Sequence, residues 1–351
     1  MAPKGLFTDT FLAGFYLGYT QRSIMTALLT IQCDDYSILL SDRRTSHRTP
    51  TGETEENSDE YGKSGIVYCV DGIFAYAFSG IAENPKFKMN SWLVRELLKT
   101  GKPKSLHKEL ILDFKTHLSQ KFQTIPLIHA WKPNERKLTV VFAGYFWTER
   151  NIYGRTIVIS NFESFDADGC YRADRVPNSA FQEFVWTQSV PMSKSYSEVS
   201  IFGNWRPFAK RQTEAIATLV VGGKSRETVV EKAISIMRKM SGTPRAHNNI
   251  GKQIDEIFIP HDPSIAPIGK SHTSKPTNQV WVPPRLIMSG ESVALAPALV
   301  LTATDSMHRA VPWVVQKVRM RHRCPCGSGK RYRACHGDPK NRKIAVIETD
   351  V

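Results

Sequence analysis

Two pairs of predicted helices divide the strand-like segments of this chain into groups, and this order restricts the folds that it can adopt. Apolar residues at helical spacing predict the first pair over residues 84–100 and 106–122. The second pair is predicted over residues 207–220 and 226–240. Runs of strands separated by helix pairs are typical of antiparallel sheets with helices on their outer faces. The pattern therefore predicts an α+β layered fold and does not fit a β-α-β alternation.

The first predicted hairpin lies within residues 25–45. Residues 26–31 and 36–40 are apolar runs on either side of the polar pair Asp34 and Asp35. Two such runs around an Asx-rich turn indicate a β-hairpin. The second run ends in Ser-Asp-Arg-Arg, so charged groups lie where the strand leaves the sheet.

Further strands are predicted on both sides of the first helix pair. Asp71 and Gly72 divide two β-type runs and form a strong hairpin signal. Residues 46–60 are polar and acidic and predict a loop. The predicted strands cover residues 64–70, 73–78, 137–147, 155–165, 184–188, 198–202 and 254–260.

The bulk composition is that of a globular protein. Of the 351 residues, 41% are hydrophobic and 23% are charged, which argues against a disordered chain. No apolar run reaches the roughly 18 residues of a membrane span. Residues 11–19 are apolar, but they lack the charged flank and the cleavage site of a signal peptide.

The positive charge is concentrated near the C-terminus of the sequence. Residues 307–343 hold eleven Lys and Arg and one acidic residue, Asp338, so this segment carries +10 of the total +14. The basicity therefore says little about the preceding domain. Such a segment fits nucleic acid, an anionic membrane surface or an acidic protein partner.

The six cysteines fall into two classes. Cys33, Cys69 and Cys170 are scattered, and the other three cluster within residues 324–335. This distribution argues against a disulfide framework and favours a reducing compartment, which we expect to be the cytoplasm, with one metal site. Small buried thiols are the expected role of Cys33 and Cys69.

The cysteine cluster reads C-P-C-G-S-G-K-R-Y-R-A-C-H-G over residues 324–337. Thiolate and imidazole ligands at this spacing suit a tetrahedral structural zinc site. Cys324 and Cys326 belong to one knuckle, and Cys335 and His336 belong to a second. Four protein ligands close the coordination shell, so we expect one structural zinc per chain. Reduced thiols without a metal are the alternative.

These residues resemble the SEC-C motif, the zinc-binding tail of the bacterial preprotein translocase ATPase, which also occurs on many unrelated bacterial proteins. The resemblance implies a zinc-stabilised module that contacts a protein partner or a polyanion. Lys330, Arg331 and Arg333 would supply its positive face. A solvated basic surface without a dedicated partner is the alternative.

Residues 25–260 resemble the proteasome-type N-terminal nucleophile (Ntn) hydrolases, which have a four-layer αββα sandwich. The resemblance rests on a Thr that opens the first strand, a D-x-R after the hairpin, a Lys before a strand and a small-residue turn before the first long helix. The residues that carry these features are Thr26, Asp42, Arg44, Lys63, Ser79 and Gly80.

The resemblance implies acyl transfer to an N-terminal threonine from a peptide or amide substrate. The Thr26 hydroxyl would be the nucleophile, and its own α-amine, with an ordinary pKa near 8, would be the base. Lys63 would favour the ionised hydroxyl and Asp42 would hold Lys63. A backbone amide near Ser79 and Gly80 would donate to the oxyanion.

This chemistry requires that Thr26 become N-terminal. We expect translation, or a processed form, to start at Met25. Methionine aminopeptidase removes Met before small residues such as Thr, which would free the Thr26 amine. Residues 1–25 would then be a leader, a propeptide or a misassigned start.

The predicted organisation has four parts. A leader over 1–25 precedes an Ntn hydrolase-like domain over 26–260, a linker and extended segment over 261–320, and the SEC-C motif over 321–340. The leading prediction is an Ntn-type amidohydrolase or peptidase. The alternative is a non-catalytic scaffold that serves as a zinc-dependent adaptor for an acidic protein, a ribosome or nucleic acid. A homo-oligomer is compatible with both.

Overall fold

The computed structural model describes residues 26–48, 54–58, 62–80, 83–84, 87–129, 133–149, 151–165, 171–173, 176–185, 197–203, 208, 210–244, 250–273, 279–296 and 299–302. The predicted leader and the predicted SEC-C segment lie outside these residues. The described part is a mixed α+β structure, as the order of helices and strands predicts.

The strands up to the second helix pair are β1 Ala27–Cys33, β2 Tyr36–Asp42, β3 Thr45–Arg48, β4 Thr54–Ser58, β5 Ser64–Cys69, β6 Gly72–Gly80, β7 Glu83–Asn84, β8 Phe87–Lys88, β9 Leu138–Trp147, β10 Ile152–Ser160, β11 Glu163–Phe165, β12 Tyr171–Ala173, β13 Gln182–Val185 and β14 Ser197–Gly203. The later strands are β15 Ile254–Pro260, β16 Ile268–His272, β17 Gln279–Val282, β18 Arg285–Ile287, β19 Ala294–Ala296 and β20 Leu299–Thr302.

The helices are α1 Met89–Thr100, α2 His107–Lys121, the short α3 Pro126–His129, α4 Lys210–Val221 and α5 Arg226–Ser241. Short 3₁₀ turns follow α2 and precede β9. Ser225 caps α5, because its hydroxyl accepts the Thr228 backbone N–H at 3.3 Å. Among the helices that the structure describes, none has the length and apolar character that a membrane span requires.

Two larger sheets organise the described residues. A five-stranded sheet has the order β14-β1-β2-β15-β16, and all of its neighbouring strands are antiparallel. A seven-stranded sheet has the order β13-β10-β9-β6-β5-β18-β19. Its pairs are antiparallel except for β18 and β5, which are parallel. The predicted antiparallel arrangement therefore has one exception, at β18.

The predicted hairpin at the start of the described chain is confirmed. β1 and β2 pair from Leu28 opposite Ser41 to Gln32 opposite Ser37, and Asp34 and Asp35 form the turn. Every residue of both strands is buried, so both faces of the hairpin are covered. The near-continuous apolar composition of these strands follows from this double coverage.

One apolar cluster joins the two sheets. It contains Leu28 and Leu39 from the five-stranded sheet and Ala75 and Val141 from the seven-stranded sheet. Alternate residues of a strand point to opposite faces, so Leu29 and Ile31 belong to a different cluster. The two sheets therefore pack face to face through a shared layer of aliphatic and aromatic side chains.

The helices cover the outer faces of the sheets. Trp92 of α1 and Phe114 of α2 share a cluster with Phe142 of the seven-stranded sheet. Ile216 of α4 and Met237 of α5 share another cluster with residues of β1 and β2. Each helix pair buries its apolar side against one sheet, which accounts for the helical spacing of apolar residues in the sequence.

Two local predictions are wrong. Helix α1 begins at Met89 and not at residue 84, because β7 and β8 occupy the preceding segment. Residues 46–60, predicted as a loop, include β3 and β4, which pair with each other in an antiparallel ribbon. Backbone hydrogen bonds form such a ribbon, and its polar composition carries no alternation that would reveal it.

The segment over 261–320, predicted as a linker and extended region, contributes strands to both sheets. β16 is the edge strand beside β15 in the five-stranded sheet. β18 pairs with β5 and β19 pairs with β18 in the seven-stranded sheet. β16, β18 and β19 therefore belong to the same two sheets as the strands before them.

Candidate active site

Thr26 and Lys63 meet between the two sheets. Thr26 directly precedes β1, and Lys63 directly precedes β5, which belongs to the other sheet. The Lys63 Nζ donates a hydrogen bond to the Thr26 Oγ1. Both residues are buried, with Thr26 3% and Lys63 2% exposed. Packing of the two sheets thus places the Lys63 ammonium in contact with the Thr26 hydroxyl, although the two residues are 37 positions apart in sequence.

Asp42 completes this pair from the end of β2. Its Oδ1 lies 3.8 Å from the Lys63 Nζ. The backbone N–H of Ala27 donates to Oδ2 at 2.8 Å, and those of Arg44 and Gly251 donate to Oδ1 at 3.0 and 3.1 Å. Three N–H donors fix the carboxylate, so Asp42 is a rigid counter-charge for Lys63.

The electrostatics of Asp42 are a balance of opposing effects. Complete burial raises the pKa of Asp42, while the Lys63 charge and the three N–H donors act in the opposite direction. A buried ammonium and a buried carboxylate each require the other, because an isolated buried charge is costly. Lys63 and Asp42 therefore form one unit.

Arg44 contributes through its backbone. Its carbonyl oxygen accepts a hydrogen bond from the Lys63 Nζ, and its N–H binds Asp42. These two bonds hold the Lys63 ammonium between a backbone oxygen, the Asp42 carboxylate and Thr26. The D-x-R resemblance placed Arg44 in the catalytic set, and both of these contacts come from its main chain.

The neighbouring Arg43 ties this turn to β15, a contact that sequence reasoning missed. The Arg43 Nε donates to the Asp255 Oδ1 at 2.7 Å, and the guanidinium lies 5.6 Å from the centre of the Trp281 ring. Burial raises the pKa of Asp255 to about 6, and the Arg43 charge opposes that rise. Since 212 residues separate the pair, no local pattern could reveal it.

Ser79 reaches Thr26 from the seven-stranded sheet. Its hydroxyl donates to the Thr26 carbonyl oxygen at 2.8 Å. Gly80 follows at the end of β6 with a φ of +120°, a conformation that favours glycine. A Cβ at Gly80 would also clash with the carbonyl of Lys137. Ser79 therefore holds the Thr26 main chain, and the oxyanion role of a nearby amide stays a prediction.

Gly203 and Glu163 border the site and had no role in the sequence prediction. Gly203 has a φ of +75°, and a Cβ there would clash with the Ser79 Oγ and the Thr26 carbonyl oxygen. Its N–H donates to the Glu163 Oε1 at 3.2 Å. A glycine at a strand end is a weak signal for such a close approach, and nothing in the sequence distinguishes Glu163.

A second polar cluster lies apart from Thr26. The His107 Nδ1 lies 2.6 Å from the Asp71 Oδ2, and the Arg155 Nη1 lies 3.1 Å from the His107 Nε2. The Asp71 carboxylate also accepts the His107 backbone N–H at 2.7 Å. These contacts join the β5–β6 turn to the start of α2 and account for the burial of His107.

Comparison with known families gives one finding, at the end of the sequence. Residues 323–338 match the SEC-C motif. The match includes Cys324, Cys326, Cys335 and His336, all of which lie outside the described residues. No curated protein matches the chain. The likeness of residues 25–260 to Ntn hydrolases therefore remains a hypothesis that rests on the residues and on the geometry above.

The described residues contain no group of three or more His, Cys, Asp and Glu side chains that could hold a metal. Cys33 and Cys69 are free and buried. Burial raises the pKa of the Cys69 thiol to about 12, which keeps it protonated and unreactive at neutral pH. This agrees with the prediction that the scattered cysteines of the described region pack as small side chains.

Proposed function

We propose that this chain is an Ntn-type amidohydrolase or peptidase that uses Thr26 as its nucleophile. The observation that carries the proposal is the hydrogen bond from the Lys63 ammonium to the Thr26 hydroxyl, with Asp42 as the counter-charge. A buried, charge-paired lysine on a hydroxyl is the arrangement that an activated nucleophile needs.

The architecture supports the same proposal. One apolar cluster lies between the sheets and two others lie under the helix pairs. We propose that this layering is a four-layer αββα sandwich of the Ntn type. Thr26, Lys63 and Ser79 come from the ends of strands in opposite sheets, so the candidate site lies at one end of the inter-sheet layer.

The chemistry begins with a free Thr26 α-amine. The amine accepts the proton of the Thr26 hydroxyl, and the oxygen forms a bond to the substrate carbonyl carbon. Lys63 stabilises the developing alkoxide, and a backbone amide near Ser79 and Gly80 donates to the oxyanion. The C–N bond then breaks, and the leaving amine takes the proton. Water hydrolyses the resulting ester and regenerates Thr26.

The working location that we propose is the cytoplasm. Cys33 and Cys69 are free thiols in the folded chain, and an SEC-C segment with three cysteines needs reduced ligands to bind a metal. A reducing compartment satisfies both conditions.

The N-terminus of the native protein tests the proposal most directly. Intact-mass analysis and N-terminal sequencing of natively expressed protein should show a species that begins at Thr26. Incubation with a peptide β-lactone should then add the mass of one lactone at that residue. In this step the Thr26 oxygen bonds to the lactone carbonyl, the ring C–O bond breaks, and the released alkoxide takes the proton. A protein that retains residues 1–25 in full and forms no adduct contradicts the proposal.

An adaptor function is the second candidate, and the SEC-C match favours it. The matched segment lies within residues 307–343, which carry a net charge of +10. Cys324, Cys326, Cys335 and His336 offer three thiolates and one imidazole, a donor set that suits a closed tetrahedral zinc site. In this reading the zinc orders a basic surface that binds an acidic protein, a ribosome or nucleic acid.

Replacement of Cys324 and Cys326 by serine should release about one zinc per chain, because two of the four proposed ligands are lost. Metal content measured by atomic spectroscopy checks this result. The thermal unfolding of the domain that contains Thr26 should be unchanged. Cys33→Ser is the matched control and should retain the zinc. Full retention of zinc by the double variant would show that the ligands are assigned wrongly.

A further inference from the structure

Glu163 is a buried carboxylate beside the candidate site that the proposed chemistry does not use. It begins β11, and 1% of its surface is exposed. An ionised carboxylate in such a place needs hydrogen-bond donors in place of water. Two of its donors are the Gly203 N–H, 3.2 Å from Oε1, and the Thr139 hydroxyl, 2.6 Å from Oε2.

The two oxygens of Glu163 bind different sheets. Gly203 ends β14 of the five-stranded sheet and lies opposite Ala27, the residue after Thr26. Thr139 belongs to β9 of the seven-stranded sheet and lies opposite Ser79. One carboxylate therefore links the strand next to Thr26 with the strand next to Ser79.

The groups at this link leave little room for movement. A Cβ at Gly203 would clash with both the Ser79 Oγ and the Thr26 carbonyl oxygen, so the Gly203 backbone packs directly against them. The Glu163 N–H also donates to the Ser160 hydroxyl at 2.9 Å, which fixes the start of β11. A shift of Glu163 would change the separation of the sheets where Thr26 meets Ser79.

We propose that Glu163 is a positioning residue for Thr26. It binds Gly203 and Thr139 and so fixes the position of Thr26. The Thr26 carbonyl oxygen then keeps its hydrogen bond from Ser79, and the Thr26 hydroxyl keeps its hydrogen bond from Lys63. This role rests on the proposed function. It depends on the two hydrogen bonds, because through them Glu163 acts on Thr26 by way of Gly203 and the paired strands.

Two substitutions separate the hydrogen bonds from the charge. Glu163→Gln keeps the shape of the side chain and removes the charge. Its amide oxygen accepts from the Gly203 N–H, and its amide nitrogen donates to the Thr139 hydroxyl, whose own proton turns to Ser160, 2.8 Å away. Glu163→Ala removes both bonds.

The readout is the rate of covalent labelling of the mature full chain by a peptide β-lactone, resolved into the maximal rate and the half-saturating concentration. Glu163→Ala should lower the maximal rate by about 10- to 100-fold with little change in half-saturation, because misplaced reacting groups lose rate at this scale. Glu163→Gln should stay within about threefold of the parent, since its hydrogen bonds persist. Glu183→Ala is the matched control and should label at the parent rate. Its carboxylate, on β13, pairs with Lys115 at 3.6 Å.

The outcomes distinguish failure of the positioning role from failure of the proposed function. A parent chain that is not labelled overturns the proposed function, and the positioning role with it. A labelled parent with an Ala variant at the same maximal rate overturns the positioning role alone. A Gln variant that loses as much as Ala also overturns it, because charge would then be the cause. If the Ala variant does not fold, Thr139→Val replaces it and should lower the maximal rate by about threefold or more; an unchanged rate overturns the positioning role.

Discussion

Thr26→Ala should abolish amide hydrolysis and covalent labelling, with a loss of at least about 1,000-fold. The substitution removes the protein atom that forms a bond to the substrate carbon in the proposed mechanism. It also removes one of the two acceptors of the Lys63 ammonium while leaving the main chain that Ser79 binds. Turnover of a fluorogenic amide and intact mass after β-lactone treatment measure the effect on the mature protein.

Two controls sharpen this expectation. Thr26→Ser keeps the hydroxyl and should retain labelling, although its less restricted side chain can lower the rate. Thr30→Ala changes a buried threonine of the same strand and should leave the chemistry intact. If Thr26→Ala turned over substrate at the parent rate, Thr26 would not be the nucleophile, and the adaptor function would become the leading candidate.

Lys63→Met should give the second-largest effect, on both activity and stability. Removing one pre-organised charge from a reacting centre typically costs about 100- to 1,000-fold in rate. The same substitution leaves Asp42 buried without its ammonium partner, and breaking a buried pair in this way costs about 3–5 kcal/mol of unfolding free energy. Labelling kinetics and chemical denaturation measure the two effects separately.

The charge balance of the pair predicts a partial rescue of stability. Lys63→Met combined with Asp42→Asn leaves no uncompensated charge, so the double variant should be more stable than Lys63→Met alone and should remain inactive. Lys99→Met is the matched control, because Lys99 is 62% exposed in its salt bridge with Glu96. That control should lose about 1 kcal/mol or less. An active and fully stable Lys63→Met variant would remove Lys63 from the mechanism.

The sequence predicted most of the regular structure because its signals are local. The β1–β2 hairpin follows from two apolar runs around an Asx turn, and the second helix pair follows from apolar residues at helical spacing. β3 and β4 were not predicted, because a polar ribbon that main-chain hydrogen bonds hold together shows no alternation of apolar and polar residues in the sequence. The pairing of β18 with β5 was also not predicted, because a parallel pairing joins segments that are distant in sequence.

The candidate site also has one part that the sequence predicted and another that only the structure shows. The residue types and their order singled out Thr26, Asp42 and Lys63, and the structure places Lys63 within hydrogen-bonding distance of Thr26 and within ion-pair distance of Asp42. The SEC-C segment is likewise a matter of sequence alone, since its four proposed ligands lie within thirteen consecutive residues.

Only the tertiary structure shows how this site is held. The Arg43–Asp255 pair, the Ser79 bond to Thr26 and the Glu163 link between Gly203 and Thr139 all join distant parts of the chain. Local spacing determines which face of a strand or helix is apolar. The stacking of two sheets determines which polar strand ends meet, and that depends on packing across the whole inter-sheet layer.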